Sequence, residues 1–239
     1  MKSLLLSLLC CVSACATAPA RESVIALDIG HFHAKPGVIS ARGAREFDFN
    51  LALAQRLAQD LQQAGQAHVL IGADGMASDL AGRAASAAKQ RASLLVSLHH
   101  DSVQERYLQH WEWQGAAQRF TRHAQGYSLF VSRKNPAWRA SLLCAQALAR
   151  RLQAAGFQHS RHHAENIPGE NRPWADAALG VHYFDDLVVL KSASMPALLF
   201  EAGVLAHPDE ELRLQDPLQR ARMSAALHQG LQDCSPLLP

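Results

Sequence analysis

The sequence predicts a single α/β domain, and two observations carry that prediction. Short apolar runs of strand length alternate along the chain with longer stretches of helical period. The 239 residues, 49% hydrophobic and 18% charged, suffice for one sizeable core and have ordinary globular composition. A formal charge of +2 is too mild for a nucleic-acid binder, which carries a concentrated basic stripe, so no nucleic-acid partner is expected.

The first fourteen residues, MKSLLLSLLCCVSA, place one lysine ahead of an apolar run. That run is too short for the roughly 30 Å core of a bilayer and suits a secretory leader. VSAC, Val12 to Cys15, resembles the bacterial lipobox, in which small residues precede a cysteine that is diacylated and becomes the mature N-terminus. The resemblance implies lipidation of Cys15 and a membrane anchor made of acyl chains. Ala16 rather than aspartate after that cysteine suits sorting to the outer membrane, with the protein facing the periplasm. A plain leader cleaved at Ala14, Ala16 or Ala18 is the alternative. The expected organisation is a leader at 1–14, a linker at 15–22, one domain at 23–232 and a tail at 233–239.

Strands are expected at VIALD (24–28), AHVLIG (67–72), SLLVSL (93–98), YSLFVS (127–132), LVVL (187–190) and PALLFE (196–201). Helices are expected at about 45–64, 78–91, 137–155 and 216–232. In the first helix Phe49, Leu53, Leu57, Leu61 and Ala64 recur every three or four residues and form one core-facing stripe, stopped at Gly65. Residues 102–125 and 156–186 lack clean periodicity and read as long, functional or lid-like loops. The second holds His159, His162 and His163, which are either a second metal site or pH-sensitive lid, or a solvated cluster. With Cys10 and Cys11 in the leader and Cys15 lipidated, Cys144 and Cys234 remain for a disulfide. A buried free thiol at Cys144, inside SLLCAQALA, is the other reading.

Three core strands deliver titratable groups at their carboxyl ends. VIALD runs into Gly30 and His31, SLLVSL into His99 and His100, and PALLF into Glu201. In open α/β sheets that edge is where ligands bind. Glu46 lies three residues before Phe49 and seven before Leu53, on the apolar face of its helix. An ionised carboxylate there needs a cationic partner. Two imidazoles and one carboxylate are the usual ligands of a catalytic zinc with an open fourth position, and Glu201 is a candidate general base. Each residue also has an ordinary reading: His31 in a turn, His99 at a strand end, Glu46 favouring a helix N-terminus, Glu201 paired with an arginine. Asp28 and Asp101 are candidates to orient metal-bound imidazoles.

The succession LDIGH, RGAREFDFNLALA, LVSLHHDS and MPALLFEAGVLAHPDE resembles the zinc-dependent N-acetylmuramoyl-L-alanine amidases of the cell-division type, over about residues 24–231. GYSLFVS and DLVVLKSASMPALLFE extend the likeness. It implies a twisted, mainly parallel sheet flanked by helices, zinc on His31, Glu46 and His99, and catalysis by Glu201. The implied substrate is the peptidoglycan amide between the lactyl group of N-acetylmuramic acid and L-alanine. Phe32 and His33 depart from the family, where glycines usually follow the first histidine, and His33 reads as a cleft-wall residue. The two loops are longer than the minimal pattern. Some relatives carry an autoinhibitory segment where the second loop lies, so a regulatory protein activator is a further expectation. The alternatives are a zinc peptidase or deacetylase acting on another envelope amide, and a murein-binding lipoprotein without activity.

Overall fold

The protein is described from a computed structural model over residues 23–238; the leader and Cys15 fall outside the described residues. Strand β1 (Val24–Ile29) is followed by helix α1 (Glu46–Gln63), β2 (His68–Ile71), α2 (Leu80–Lys89) and β3 (Ala92–Asp101). Then come β4 (Gln109–Trp113), β5 (Ala116–Phe120), β6 (Ser128–Val131), α3 (Trp138–Ala154), β7 (Trp174–Asp176) and β8 (Val181–Tyr183). The chain ends with α4 (Val188–Lys191), β9 (Ala197–Val204), α5 (Pro208–Gln215) and α6 (Pro217–Cys234).

Alternation along the strands sorts the core into two layers. Ile25, Leu27 and Ile29 of β1 and Leu94, Val96 and Leu98 of β3 face α1, α3 and α6, where they meet Leu53, Leu57, Leu61, Leu148 and Leu227. Ala26 and Leu95 face the opposite way, onto Ala84 and Ala87 of α2 and Val189 and Leu190 of α4. The sheet therefore lies between a thick helical layer and a thin one.

Seven strands form the main sheet in the order β2-β1-β3-β9-β6-β8-β7. β1 pairs in parallel with β2 and β3, β3 with β9, and β6 with β8, whereas β6–β9 and β7–β8 are antiparallel. The sheet is mostly parallel, as expected. Because β2 and β3 lie on opposite sides of β1, the chain reverses its winding there, and the carboxyl edge of β1 and β3 is the switch point that opens a crevice.

Three expectations change. LVVL is the single-turn α4 rather than a strand, a short apolar run that its residues do not discriminate. The segment 102–125 contains the hairpin β4–β5, turned by Gln114 and Gly115, both at positive φ (51° and 78°), which is the backbone a two-residue primed turn requires. The segment 156–186 contains β7, β8 and a one-turn 3-10 helix at His162–Ala164, so neither segment is a structureless loop. Cys144 and Cys234 are paired across 90 residues, with Cα atoms 4.8 Å apart, and tie α3 to the end of α6.

Candidate active site

The exit of β1 is built by a buried arginine. Arg83 of α2 binds Asp28 at 2.6 Å, donates to the carbonyls of Ile29, His31 and Ala77, and is 2% exposed. Asp28 also accepts from Ser97 Oγ at 2.6 Å. Asp28 thus secures the loop and touches no imidazole among its hydrogen-bond partners, contrary to the expected orienting role. Held this way, His31 adopts φ 67°, a left-handed backbone that few non-glycine residues take and that persists only where surrounding structure imposes it.

That turn aims His31 Nε2 at Glu46 Oε2, 2.9 Å away, while His99 Nδ1 lies 3.1 Å from Glu46 Oε1. Glu46 opens α1, is 2% exposed, and accepts further bonds from the backbone N–H of Val38 and His100 and from Asn50 Nδ2. Burial alone would raise its pKa, but the hydrogen bonds and charge of His31 and His99 hold the carboxyl well below the usual range. Donor atoms of His31, Glu46 and His99 all lie within 4.8 Å of one another, so all three predicted residues are brought together. Two glycines clear the space. A Cβ at Gly30 would lie 2.4 Å from the His99 ring, and one at Gly37 (φ 83°) would lie 2.2 Å from Glu46 Oε2.

Glu201 lies opposite His99 in the β3–β9 register. Between His99 and Asp101 the strand takes two steps while β9 takes three, from Glu201 to Val204; such a bulge turns side chains at a sheet end. Glu201 is half-buried, its Oε2 has no hydrogen-bond partner, and burial together with Asp101 and Glu46 pushes its pKa well above the ordinary value. His31, Glu46, His99 and Glu201 line one open cleft, about 320 Å³ in volume, with Asp101, His163 and Glu170 on its other wall.

On that wall His163 Nε2 lies 2.7 Å from Asp101 Oδ2 and its Nδ1 lies 2.9 Å from Glu170. Burial opposes charge on His163, yet the two carboxylates raise its pKa to about 9. Asp101 is engaged by His163 and His162 rather than by His31 or His99, which corrects its expected role. His159 stands apart, packed over Gly180 and near Trp174, so the three histidines of this segment do not form one cluster. His33 does not line the cleft either: its ring fills the space over Gly75 and meets Phe47 edge-on at 4.9 Å.

The N-acetylmuramoyl-L-alanine amidase family matches residues 25–233 of the sequence. The chain belongs to this family. Among solved structures, the amidase Ami1 of Mycobacterium smegmatis is similar at a TM-score of 0.70 and 19% identity, covering 89% of this chain and 96% of its own. The catalytic domain of CwlV from Bacillus (Paenibacillus) polymyxa gives 0.67 and 22%, covering 90% and 99%. The CwlD amidase of Clostridioides difficile, solved in complex with the GerS lipoprotein, gives 0.60 and 19%, covering 90% and 98%. A search of curated proteins by sequence returns no match. The chain is thus an enzyme of the amidase family, whose reaction class is hydrolysis of a peptidoglycan amide.

Three residues that line or support the amidase cleft, Asn50, Arg83 and Glu170, carry no site signal of their own in the sequence. Asn50 follows Glu46 by four residues and so shares its helix face, a spacing that contained the signal. Arg83 meets Asp28 across 55 residues and Glu170 meets Gln104 across 66, separations that no local pattern records.

Proposed function

We propose that the enzyme uses zinc held by His31, Glu46 and His99 to hydrolyse the bond between N-acetylmuramic acid and L-alanine in peptidoglycan. The observation that carries the reading is the meeting of two imidazole nitrogens with one ionised, buried carboxylate at the sheet's switch point, beside Glu201. That donor set fits zinc, which favours nitrogen and oxygen ligands and keeps one position open in catalytic sites. A zinc ion bound there supplies positive charge that polarises a carbonyl and lowers the pKa of water.

The chain's own groups do the rest. Val38, His100 and Asn50 fix the Glu46 carboxylate, so the ligand set is preorganised. Glu201, with an unpartnered oxygen, takes a proton from the attacking water and returns it to the departing alanine nitrogen. Its raised affinity for a proton suits the second task, and the nearby positive charge eases the first.

The reading of Cys15 as a lipidated residue puts the enzyme in the periplasm on the outer membrane. The Cys144–Cys234 pairing suits such an oxidising compartment. Among the described residues no helix is long and apolar enough to cross a membrane. A regulatory protein activator is proposed on the example of CwlD, solved with a lipoprotein. The inactive murein-binding alternative rested on bulk after His31, and Phe32 and His33 both stand outside the cleft lining.

Digestion of peptidoglycan with the zinc-loaded full chain is expected to release peptides with a free L-alanine amine. Glu201→Gln should lower kcat by about 10²–10⁴-fold with zinc content unchanged. Equal activity of that variant defeats the role of Glu201. Product masses showing cleavage between amino acids, or loss of acetyl groups, would instead assign a peptidase or deacetylase.

A further inference from the structure

The cleft's other wall repeats the design of the first cluster with different residues. His162 and His163 come from the segment after α3, and both direct Nε2 at a single oxygen, Asp101 Oδ2, at 3.3 and 2.7 Å. Their Nδ1 atoms are already engaged: His162 with Ser160 Oγ at 2.8 Å, His163 with Glu170 Oε2 at 2.9 Å. A metal-ligating histidine characteristically has its second ring nitrogen held by a carboxylate, hydroxyl or carbonyl in this way, which fixes the ring and leaves the other nitrogen for the ion. An imidazolium accounts for His163 between Asp101 and Glu170. It does not account for His162, which is 5% exposed and whose Nε2 is buried without a hydrogen-bond partner. The two rings lie 3.9 Å apart between centroids, an approach that a shared ion favours and two positive charges oppose.

We infer that Asp101, His162 and His163 form a second site for a divalent metal ion of the zinc type, distinct from the His31, Glu46 and His99 set. The three donor atoms lie within 4.8 Å of one another, and the 3.3 Å from His162 to Asp101 equals the roughly 3.3 Å between donors that tetrahedral zinc requires. The site joins the end of β3 to the 3-10 turn His162–Ala164, so an ion there pins the segment that carries Glu170 against the cleft. It is a clamp on one wall of the cleft, loaded independently of the first cluster.

The test measures metal content, not activity, and so is separable from the amidase reading. The full chain is stripped with a chelator and titrated with Zn²⁺, and in parallel with Co²⁺, whose visible bands report tetrahedral nitrogen and oxygen ligands. Wild type is expected to take up two equivalents. His31→Ala should keep one, and added Zn²⁺ should slow amide exchange across residues 160–172. His31→Ala combined with His162→Gln should keep none and lose that protection. Ser160→Ala and Glu170→Gln, which leave all three ligands in place, should weaken the second equivalent by about 10–100-fold. A single equivalent in wild type, lost entirely in a folded His31→Ala variant, overturns the second site. So does a second equivalent that neither Ser160→Ala nor Glu170→Gln weakens. If the first cluster binds no zinc, His31→Ala leaves the stoichiometry unchanged, a result that defeats the amidase metal reading and not this one.

Discussion

His31, Glu46 and His99 stand on a strand exit, a helix N-terminus and a strand end, whereas His162, His163 and Glu170 stand on a segment whose regular part beside them is one 3-10 turn. The first group is fixed by the sheet and its helices, by a buried arginine and by two glycines that clear room for the rings. The second is fixed mainly by its own polar contacts to Asp101, Ser160 and Glu170. A cleft with one wall made of scaffold and the other of loop can hold its ligands rigidly while leaving the opposite side adjustable.

The largest expected effect comes from removing the scaffold's buried cation. Arg83→Met should cost about 3–5 kcal/mol in urea unfolding, because Asp28 is left as an unpaired charge in the core. It should also weaken metal uptake by the first cluster, since the His31 carbonyl loses its donor. If stability falls while uptake by His31, Glu46 and His99 is unchanged, the strained His31 turn does not depend on Arg83, and the scaffold wall is no more rigidly held than the loop wall.

This contrast also explains what the sequence made legible. Glu46 is readable because a helix period places it on the apolar face, and His31, His99 and Glu201 because each ends or interrupts a buried strand. The α/β class follows from the same periodicities. The α4 turn at 188–191 does not, since the four apolar residues at 187–190 fit a strand and a helix equally. Gln114 and Gly115 were a hairpin signal inside a segment read as a loop, weaker than Asn-Gly because glutamine seldom takes positive φ. The roles expected of Asp28 and Asp101 failed for a common reason. Each has a partner far along the chain, Arg83 for one and His163 for the other, and burial decides between partners that spacing cannot rank.

The disulfide tests whether the scaffold acts as a whole. Replacing both Cys144 and Cys234 by alanine should cost about 2–5 kcal/mol, as closing a long loop constrains the unfolded chain. Metal content and activity at low temperature should stay at the wild-type level, because the bond joins α3 to α6 on the helical face and not at the cleft. Loss of metal from the first cluster in the folded double variant would show that the helical layer, and not the strand exits, sets its geometry.

Beneath the loop wall, His182 gives a pH signature. It is fully buried, stacks on Trp174 at 3.9 Å, and burial lowers its pKa from 6.5 to about 3, helped by the charge of His163. The unfolded chain therefore binds a proton that the folded chain refuses between pH 6.5 and about 3. Stability from this group is present above pH 6.5 and falls as pH drops through that window, by about 1.4 kcal/mol per pH unit at most. His182→Phe should flatten the slope of unfolding free energy against pH by that amount. An unchanged slope would place the acid sensitivity elsewhere.

The smallest expected effect separates two neighbours in the opening turn. His31 and His33 are two residues apart, yet only His31 reaches Glu46, while His33 is exposed, packs edge-on against Phe47 and covers Gly75. Its aromatic contact is worth about 0.5–1 kcal/mol, so His33→Ala should lower the unfolding free energy by that amount and leave metal content unchanged. His31→Ala should abolish binding at the first cluster, and because alanine keeps a β-carbon it leaves the left-handed backbone cost in place, so the loss there is read in metal content. The pair is a comparison within one turn of the same contrast that divides the cleft. If His33→Ala released metal as readily as His31→Ala, the loop between β1 and α1 would be held by its packing on Phe47 rather than by Arg83.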